Sequence, residues 1–285
     1  AIYYGAMYGG TITSILLNTP GESSSVASTF DGYPLAQQGR AGPALVMQAV
    51  ASFVGGTLGV ILITVFAPLF ALVTRSFGPP EFFLLVMMGL MTLIVMIDGN
   101  WRYGVISALV GFALGTVGVD LDTGQTRFTF GSAEMIGGID FIPIAIGLFG
   151  LVELYYAFYQ GLHLSGAGGI VQYDKEKRFW PDWRDYIETR FAILRASVLG
   201  FVIGVIPGAG ATIASLMSYS MEKALSKTPE KFGKGAMAGL AGPEAANNAG
   251  AQTSFIPLLT LGLPTNVNMA LLAGAMVMQG VQPGP

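Results

Sequence analysis

Between Glu81 and Asp98 the chain reads FFLLVMMGLMTLIVMI, without a charge and with a single hydroxyl. A bilayer accepts such a run directly, since roughly 20 apolar residues span its hydrocarbon core. A soluble domain could bury it as a core helix only by surrounding it with a charged exterior. The charge for that is missing: 11% of residues are charged and 52% apolar, where ordinary globular domains carry about a quarter charged. Lipid is therefore the expected solvent. Because backbone polar groups must be satisfied internally there, the expected fold is all-α, a polytopic helical membrane protein.

Several function classes drop out. The net charge is −3 and the basic residues sit mainly in loops, so no nucleic-acid partner is expected. Absence of cysteine removes disulfides, thiolate catalysis and Cys-based metal sites. Ala1 lies inside an apolar stretch with neither a basic leader nor an A-x-A cleavage signal, which does not read as a signal peptide. The break-off at Val281 to Pro285 reads as a fragment of a longer subunit. His163, the one histidine, stands at a loop edge and reads as structural. Gly208-Ala209-Gly210 lacks the third glycine and the βαβ context of a dinucleotide fingerprint. Ser23 to Ser25 form no GxSxG elbow, and neither a phosphate loop nor HExxH occurs, so no enzyme is expected.

Along the chain the expected organisation is one transmembrane permease domain over 1–285. A first hairpin repeat occupies 1–40, intervening spans 41–159, a cytoplasmic hydrophilic loop 160–190, and a second hairpin repeat with a following broken helix 191–285. Ala44 to Val73 carries Gly55, Gly56, Gly59 and Pro68, which leaves one crossing or two open. Glu81 to Ile97, Tyr103 to Val119 and Ile139 to Tyr159 read as further spans. Gly111 and Gly115 form a GxxxG, a spacing that glycine-rich membrane helices also produce by chance. Asp120 to Glu134 is polar, with a turn expected at Asp122-Thr123-Gly124. Asp140 and Glu153 lie beside or within a span, where acids are costly; interfacial placement and a satisfied polar contact account for them equally well. The basic segment with Lys175, Lys177, Arg178, Arg184 and Arg190, and a second with Lys223, Lys227, Lys231 and Lys234, both read as cytoplasmic. Phe191 to Leu225 between them must then enter and return. At about 35 residues it is too short for two full spans, so a re-entrant helical hairpin is expected, with Pro207-Gly208-Ala209-Gly210 at its tip.

That tip has a double. Pro20-Gly21-Glu22-Ser23-Ser24-Ser25-Val26-Ala27-Ser28 aligns without gaps on Pro207-Gly208-Ala209-Gly210-Ala211-Thr212-Ile213-Ala214-Ser215. Four positions are identical, and Ser25/Thr212 and Val26/Ile213 are close. Each copy follows an apolar segment and leads into a helix-compatible one. Internal repeats with broken helices are the pattern of secondary carriers, whose substrate sits at the repeat interface. Proline lacks a donor and glycine accepts unusual dihedrals, so one helix stops and another starts with amides unpaired. A helix start of this kind favours a carboxylate, and hydroxyls add donors. The expected substrate-binding residues are Asn18, Thr19, Pro20, Gly21, Ser23, Ser24 and Ser25 in the first copy. In the second they are Pro207, Gly208, Gly210, Ala211 and Thr212. The plain alternative is two ordinary helix caps.

A third polar group holds Glu244, Asn247 and Asn248, then Gln252 and Thr253, then Pro264, Thr265 and Asn266. Its amides and hydroxyls suit substrate or a cation such as Na+; interhelical hydrogen bonding is the alternative role. Glu22 and Glu244 would repel a carboxylate but could hold sodium.

Taken together, YGGTITSILLNTPGESSSVASTFDGYPLAQQGRAGPAL, DTGQTRFTFG, GVIPGAGATIAS, GPEAANNA and TLGLPTNVNMALLAGAMVMQGVQPGP resemble the large membrane subunit of the tripartite tricarboxylate transporters over essentially the whole chain. The resemblance implies a secondary carrier in the bacterial inner membrane, importing citrate or another carboxylate and coupled to Na+ or H+. It implies two partners, a small membrane subunit and a periplasmic substrate-binding protein, and self-association is compatible with it. The family's first signature falls on Asn18 to Ser25, its second on Pro207 to Thr212, and its GPEAANNA element on Gly242 to Ala249. Alternating access by a domain carrying both tips is the expected mechanism, with an elevator motion drawn only from analogy to hairpin-bearing carboxylate carriers. The competing readings are a passive anion channel and a non-transporting scaffold subunit. Repeat orientation stays open.

Overall fold

The computed structural model describes residues 2–74, 101–120, 124–139, 179–206 and 210–284, with isolated positions between 78 and 91 and between 144 and 159. Most of the expected spans Glu81 to Ile97 and Ile139 to Tyr159 lies outside the described residues, as do Asp122, Thr123, Asp140, Glu153, residues 160–178 with His163, and the tip residues Pro207, Gly208 and Ala209.

The described chain is all-α but for one two-residue ladder. Its helices are α1 (Ile2–Leu17), α2 (Val26–Leu35), α3 (Ala41–Thr74), α4 (Trp101–Gly115), α5 (Trp183–Gly204), α6 (Gly210–Leu225), α7 (Met237–Thr253), α8 (Phe255–Leu261) and α9 (Val267–Met278). The ladder pairs Gly118 with Arg127 and Val119 with Thr126; beyond it the Gly124 amide donates to the Asp120 carbonyl at 2.7 Å, with Gly124 at φ 70°. Ala44 to Val73, left open as one crossing or two, belongs to the single helix α3, which passes its glycines and Pro68 without a break. Among the described residues, Ser23–Phe70 is the helical run long and apolar enough to cross a membrane.

α7 is the axis of the bundle. Its sequence MAGLAGPEAANNAGAQT is almost all small residues, and nearly every one of them is buried. Neighbouring backbones can therefore approach closely, which is how helices associate where lipid offers no hydrophobic drive. Paired contacts fix the directions. Ser52 meets Glu244 and Gly59 meets Gln252, so α3 runs parallel to α7; Gly200 meets Ala246 and Gly204 meets Gly250, so α5 does too. Thr11 meets Glu244 and Tyr4 meets Gln252, so α1 runs antiparallel. Asp31 meets Gly239 and Glu22 meets Asn247, so α2 is antiparallel, and Ser218 against Gly242 with Ala211 against Gly250 makes α6 antiparallel as well.

Two consequences follow for the repeats. α5 and α6 are an antiparallel pair, tied by Arg195 donating to both carboxylate oxygens of Glu222 at 3.0 and 2.6 Å. α1 and α2 instead run in the same sense. After Leu17 the chain turns at Asn18, which takes the left-handed φ of 54°, doubles back until the Gly21 amide reaches the Gly10 carbonyl at 3.1 Å, and starts a second helix in the original direction. A Cβ on Gly21 would stand 2.5 Å from the Gly10 Cα, so only glycine permits this return.

The described parts of the two basic segments meet at one end of the bundle. Arg40, just past the left-handed Gly39, donates to both oxygens of Asp185 at 2.8 Å, and Gln38 donates to the Lys234 carbonyl at 2.7 Å. The same end holds Asp31, whose Oδ1 accepts from the amides of Gly233, Gly235 and Ala236 at 2.9, 2.7 and 2.7 Å. Ala236 offers α7 no side-chain cap, so Asp31, fully buried on α2, serves as a remote one, an anion at a helix N-terminus. Asp31→Ala is expected to lower stability by about 2 kcal/mol, since it strands buried amides. Asp31→Asn, which keeps the oxygen, should cost less. Thermal unfolding of the purified subunit in detergent checks both. The outward faces are apolar, with Phe53, Ile61, Val65, Phe112 and Val198 all exposed, a surface suited to lipid contact.

Candidate functional site

The two repeated motifs meet. Ser23 Oγ lies 2.9 Å from Thr212 Oγ1, and one helical stretch further on the Phe30 ring stacks edge-on against Tyr219 at 5.2 Å. Both contacts join residues 189 apart, so the helices that open at the two motifs lie side by side and run in the same direction. The first copy begins with a 3-10 turn over Ser23–Ser25 and the second with Gly210 at φ 52°. Because α2 and α6 start side by side and run the same way, their dipoles add at the tips.

Local bonding explains the shape of the first tip. Ser14 reaches the Ser25 carbonyl at 3.2 Å, fastening the start of α2 to α1, while Ser25 Oγ accepts from the Glu22 amide at 3.3 Å and donates to the Glu22 carbonyl at 2.8 Å. Ser24 donates to the Glu22 carboxylate, and so does Asn247 Nδ2 at 3.3 Å. The protein's own acid thus sits among the tip's donors. Ser23 is exposed, Ser24 and Ser25 are buried, and Asn18, Pro20 and Gly21 lie on the exposed side of the return. Thr19 is held by its neighbours, its amide on the Thr13 carbonyl at 3.4 Å. Ala211 packs with Met7 and Ala251 behind the second tip. Asn247 lies about ten residues into α7, so the tips stand on the order of 15 Å from its N-terminal end.

The third polar group divides. Asn247 faces Glu22. Glu244 and Asn248 face α1 and α3, where Glu244, fully buried, accepts from Thr11 at 2.6 Å, Ser52 at 2.6 Å and Asn248 at 3.0 Å. Gln252 accepts from the Tyr4 hydroxyl at 2.5 Å and, with Tyr4, Ser52 and Asn248, lines a cavity of about 470 Å³. The rest bond elsewhere, except that Asn266 also donates to the hydroxyl of Tyr3, which packs beside Ala211, at 3.5 Å. Thr253 bonds the Gly250 carbonyl at 3.3 Å, Thr265 the Ser254 carbonyl at 3.5 Å, and Asn266 caps α9 by accepting from the Met269 amide at 3.0 Å. Pro264 borders a separate cavity with Gly262 and Ala270.

Sequence reasoning passed over Thr11, Ser14, Ser52, Tyr4 and Asp31. For Asp31 there was a signal, an acid set within a helix-compatible stretch that is otherwise apolar or uncharged. The hydroxyls gave none, because their partners are far away in the chain.

A family profile described as the tripartite tricarboxylate transporter TctA family matches residues 1–285. The chain is 47% identical over 284 residues to an uncharacterized 52.8 kDa protein in the TAR-I ttuC' 3'region of Agrobacterium vitis, covering all of this chain and 56% of that protein. It is 62% identical over 86 residues to an uncharacterized protein in the TAR-II ttuC' 3'region of the same organism, covering 30% of this chain and 36% of that one. The chain therefore spans about half or less of the length of these relatives. No solved structure matches it. With the profile covering every residue of an all-α, apolar-surfaced bundle, the chain belongs to the tripartite tricarboxylate transporter TctA family.

Proposed function

We propose that the chain is the permease part of a cation-coupled carboxylate uptake system in the bacterial inner membrane. It works by alternating access as a multi-pass symporter, on a di- or tricarboxylate delivered by a periplasmic binding protein, together with a small membrane subunit. The observation that carries this reading is the 2.9 Å contact between Ser23 and Thr212, which joins the two repeated helix starts at one point. A carboxylate placed there would replace the hydroxyl-to-hydroxyl bond with donations from both side chains and from the first amides of α2 and α6. The depth of that point, about half the roughly 30 Å hydrocarbon core from the basic end, suits a carrier site near the bilayer midplane.

Glu22 supplies the reason for coupling. A substrate carboxylate beside the Glu22 carboxylate is repelled, and a small cation between them removes the repulsion. Oxygens are at hand for it: the Glu22 carboxylate and the buried Asn247 Oδ1, which has no hydrogen-bond partner. Substrate would then bind well only with the cation.

The test is uptake by proteoliposomes holding the complete complex. Saturable accumulation that follows a sodium gradient is expected; downhill flux indifferent to the gradient would mean a channel. Ser23→Ala and Thr212→Ala should each lower uptake roughly tenfold, about the worth of one charge-assisted hydrogen bond, with folding unchanged. Uptake untouched by either would leave only a scaffold role for the tips.

A further inference from the structure

α3 meets α1 on one side and α5 on the other, and each meeting leaves an apolar cavity on the outward face of the bundle. The first, about 560 Å³, is walled by Ile12 of α1, by Leu45 and Phe53 of α3, and by Phe179 and Trp180 ahead of α5. The second, about 490 Å³, lies between Val54 of α3 and Ile193 and Leu194 of α5, with Trp183 and Arg190 also in its wall. Half-buried Val50 is common to both, so the two cavities sit side by side across one residue of α3.

The helix register turns both cavities toward the basic end. Thr189 reaches the Met47 sulfur at 3.4 Å, and Arg40, just ahead of α3, holds Asp185 in the first turn of α5, so the two helices start level there. A Cβ on Gly42 would stand 2.8 Å from the Phe179 Cα, which places Phe179 and Trp180 against the first turn of α3. Trp180 and Trp183 are 63% and 76% exposed, so the protein itself covers neither ring. Along α5 the lining changes with depth, from Trp183 through Arg190 to Ile193 and Leu194, over about 16 Å. Tryptophan suits the membrane interface and aliphatic side chains the hydrocarbon below it. A phospholipid has its polar head and apolar chains in the same order.

Charge selects the head. Arg40 and Arg195 each hold a carboxylate, whereas Arg190 lies over the Phe191 ring at 4.7 Å and, among the described residues, is paired with no acid. No acidic side chain among the described residues lines either cavity. Glu188 stands about 200° round α5 from Arg190. Basic pockets between helices on the cytoplasmic side take anionic lipid headgroups. Shape selects the rest of the molecule. A free anion gains nothing from apolar walls, and a helix about 10–12 Å across would fill either volume within roughly one turn. Two flexible chains joined at one head match two cavities that share a wall.

We propose that this face of α3 binds one anionic phospholipid, with an acyl chain on either side of Val50 and the phosphate on Arg190. The site is distinct from the tips, where Ser23 meets Thr212, and it stands whether or not the chain transports.

Tryptophan quenching by brominated lipid tests it. The full-length subunit, assembled with its partners, is placed in nanodiscs of phosphatidylcholine containing a rising share of phosphatidylglycerol brominated in the upper part of its chains. Brominated phosphatidylcholine is the comparison. The signals read are the fluorescence components lost in Trp180→Phe and in Trp183→Phe. Both should be quenched by saturable binding, half-complete at an about fivefold lower share of the anionic lipid, the worth of one arginine beside an anionic headgroup. Arg190→Gln should remove that preference. Val50→Phe, which fills the shared wall and leaves the charge, should weaken saturable quenching at both tryptophans. Quenching that only tracks the bulk share of either lipid would overturn the proposal, as would a preference that survives Arg190→Gln or binding that Val50→Phe leaves whole. No quenching by either lipid would also overturn it, by showing that protein covers these cavities. Should Arg190→Gln fail to fold, the comparison of the two lipids on the parent and on Val50→Phe still decides.

Discussion

Glu244→Leu is expected to lower the thermal unfolding midpoint of the detergent-solubilised subunit by roughly 10 °C, from a loss of about 4 kcal/mol. Glu244 is fully buried and accepts from Thr11 on α1, Ser52 on α3 and Asn248 one turn along α7, so one side chain ties three helices together. Leucine fills comparable space but accepts nothing: Thr11 loses its acceptor, and Ser52 and Asn248 keep only the backbone carbonyls of Gln48 and Glu244, at 2.8 and 3.0 Å, so the ties between α7 and both neighbouring helices are cut. Glu244→Gln separates geometry from charge. Its oxygen can still take Ser52 and Asn248, and the Thr11 hydroxyl can rotate to accept from the new amide instead of donating. Its midpoint should stay within a few degrees of the parent. A Leu variant as stable as the parent would show that these bonds contribute nothing net. A Gln variant as unstable as Leu would show that the ionised carboxylate, and not the bonding pattern, holds the helices.

The division of the third polar group was open to reading from periodicity alone. Adjacent residues stand about 100° apart around a helix, so Asn247 and Asn248 cannot serve the same neighbour. Glu244 and Asn248, one turn apart, can. The doubling of the tip was legible, because the same nine-residue pattern occurs twice, but the distance between the copies was not, and their meeting rests on the Ser23–Thr212 contact. The doubling back of the chain at Asn18 was not legible, since nothing local separates a return that restarts in the same direction from one that reverses. Thr11 and Ser52 were hidden for the same kind of reason. Their partner lies 233 and 192 residues away, and a lone hydroxyl in an apolar helix looks alike whether it bonds its own backbone or a distant acid.

Glycine spacing shows the limit most clearly, and it gives the other large effect. Gly200→Ala combined with Gly204→Ala is expected to cost about 4–6 kcal/mol, near the upper end for two overpacked sites, and to leave little folded subunit in membranes. A Cβ at position 200 would stand 2.9 Å from the Ala246 Cα and closer still to its carbonyl oxygen; one at 204 would stand 2.5 Å from the Gly250 oxygen. These obstacles are backbone, not flexible side-chain ends, so α5 and α7 would have to separate along their contact. Gly111→Ala with Gly115→Ala makes the same chemical change at the same spacing, on α4, where among the described residues added Cβ atoms meet nothing within 4 Å. That pair should be neutral or slightly stabilising, by up to about 1 kcal/mol per site from helix propensity. GxxxG marks both helices equally in the sequence; only the small-residue face of α7 opposite one of them makes the spacing matter. Expression and thermal midpoint of the two double variants measure the difference, and similar losses in both would mean that helix flexibility, not close approach to α7, is what these glycines provide.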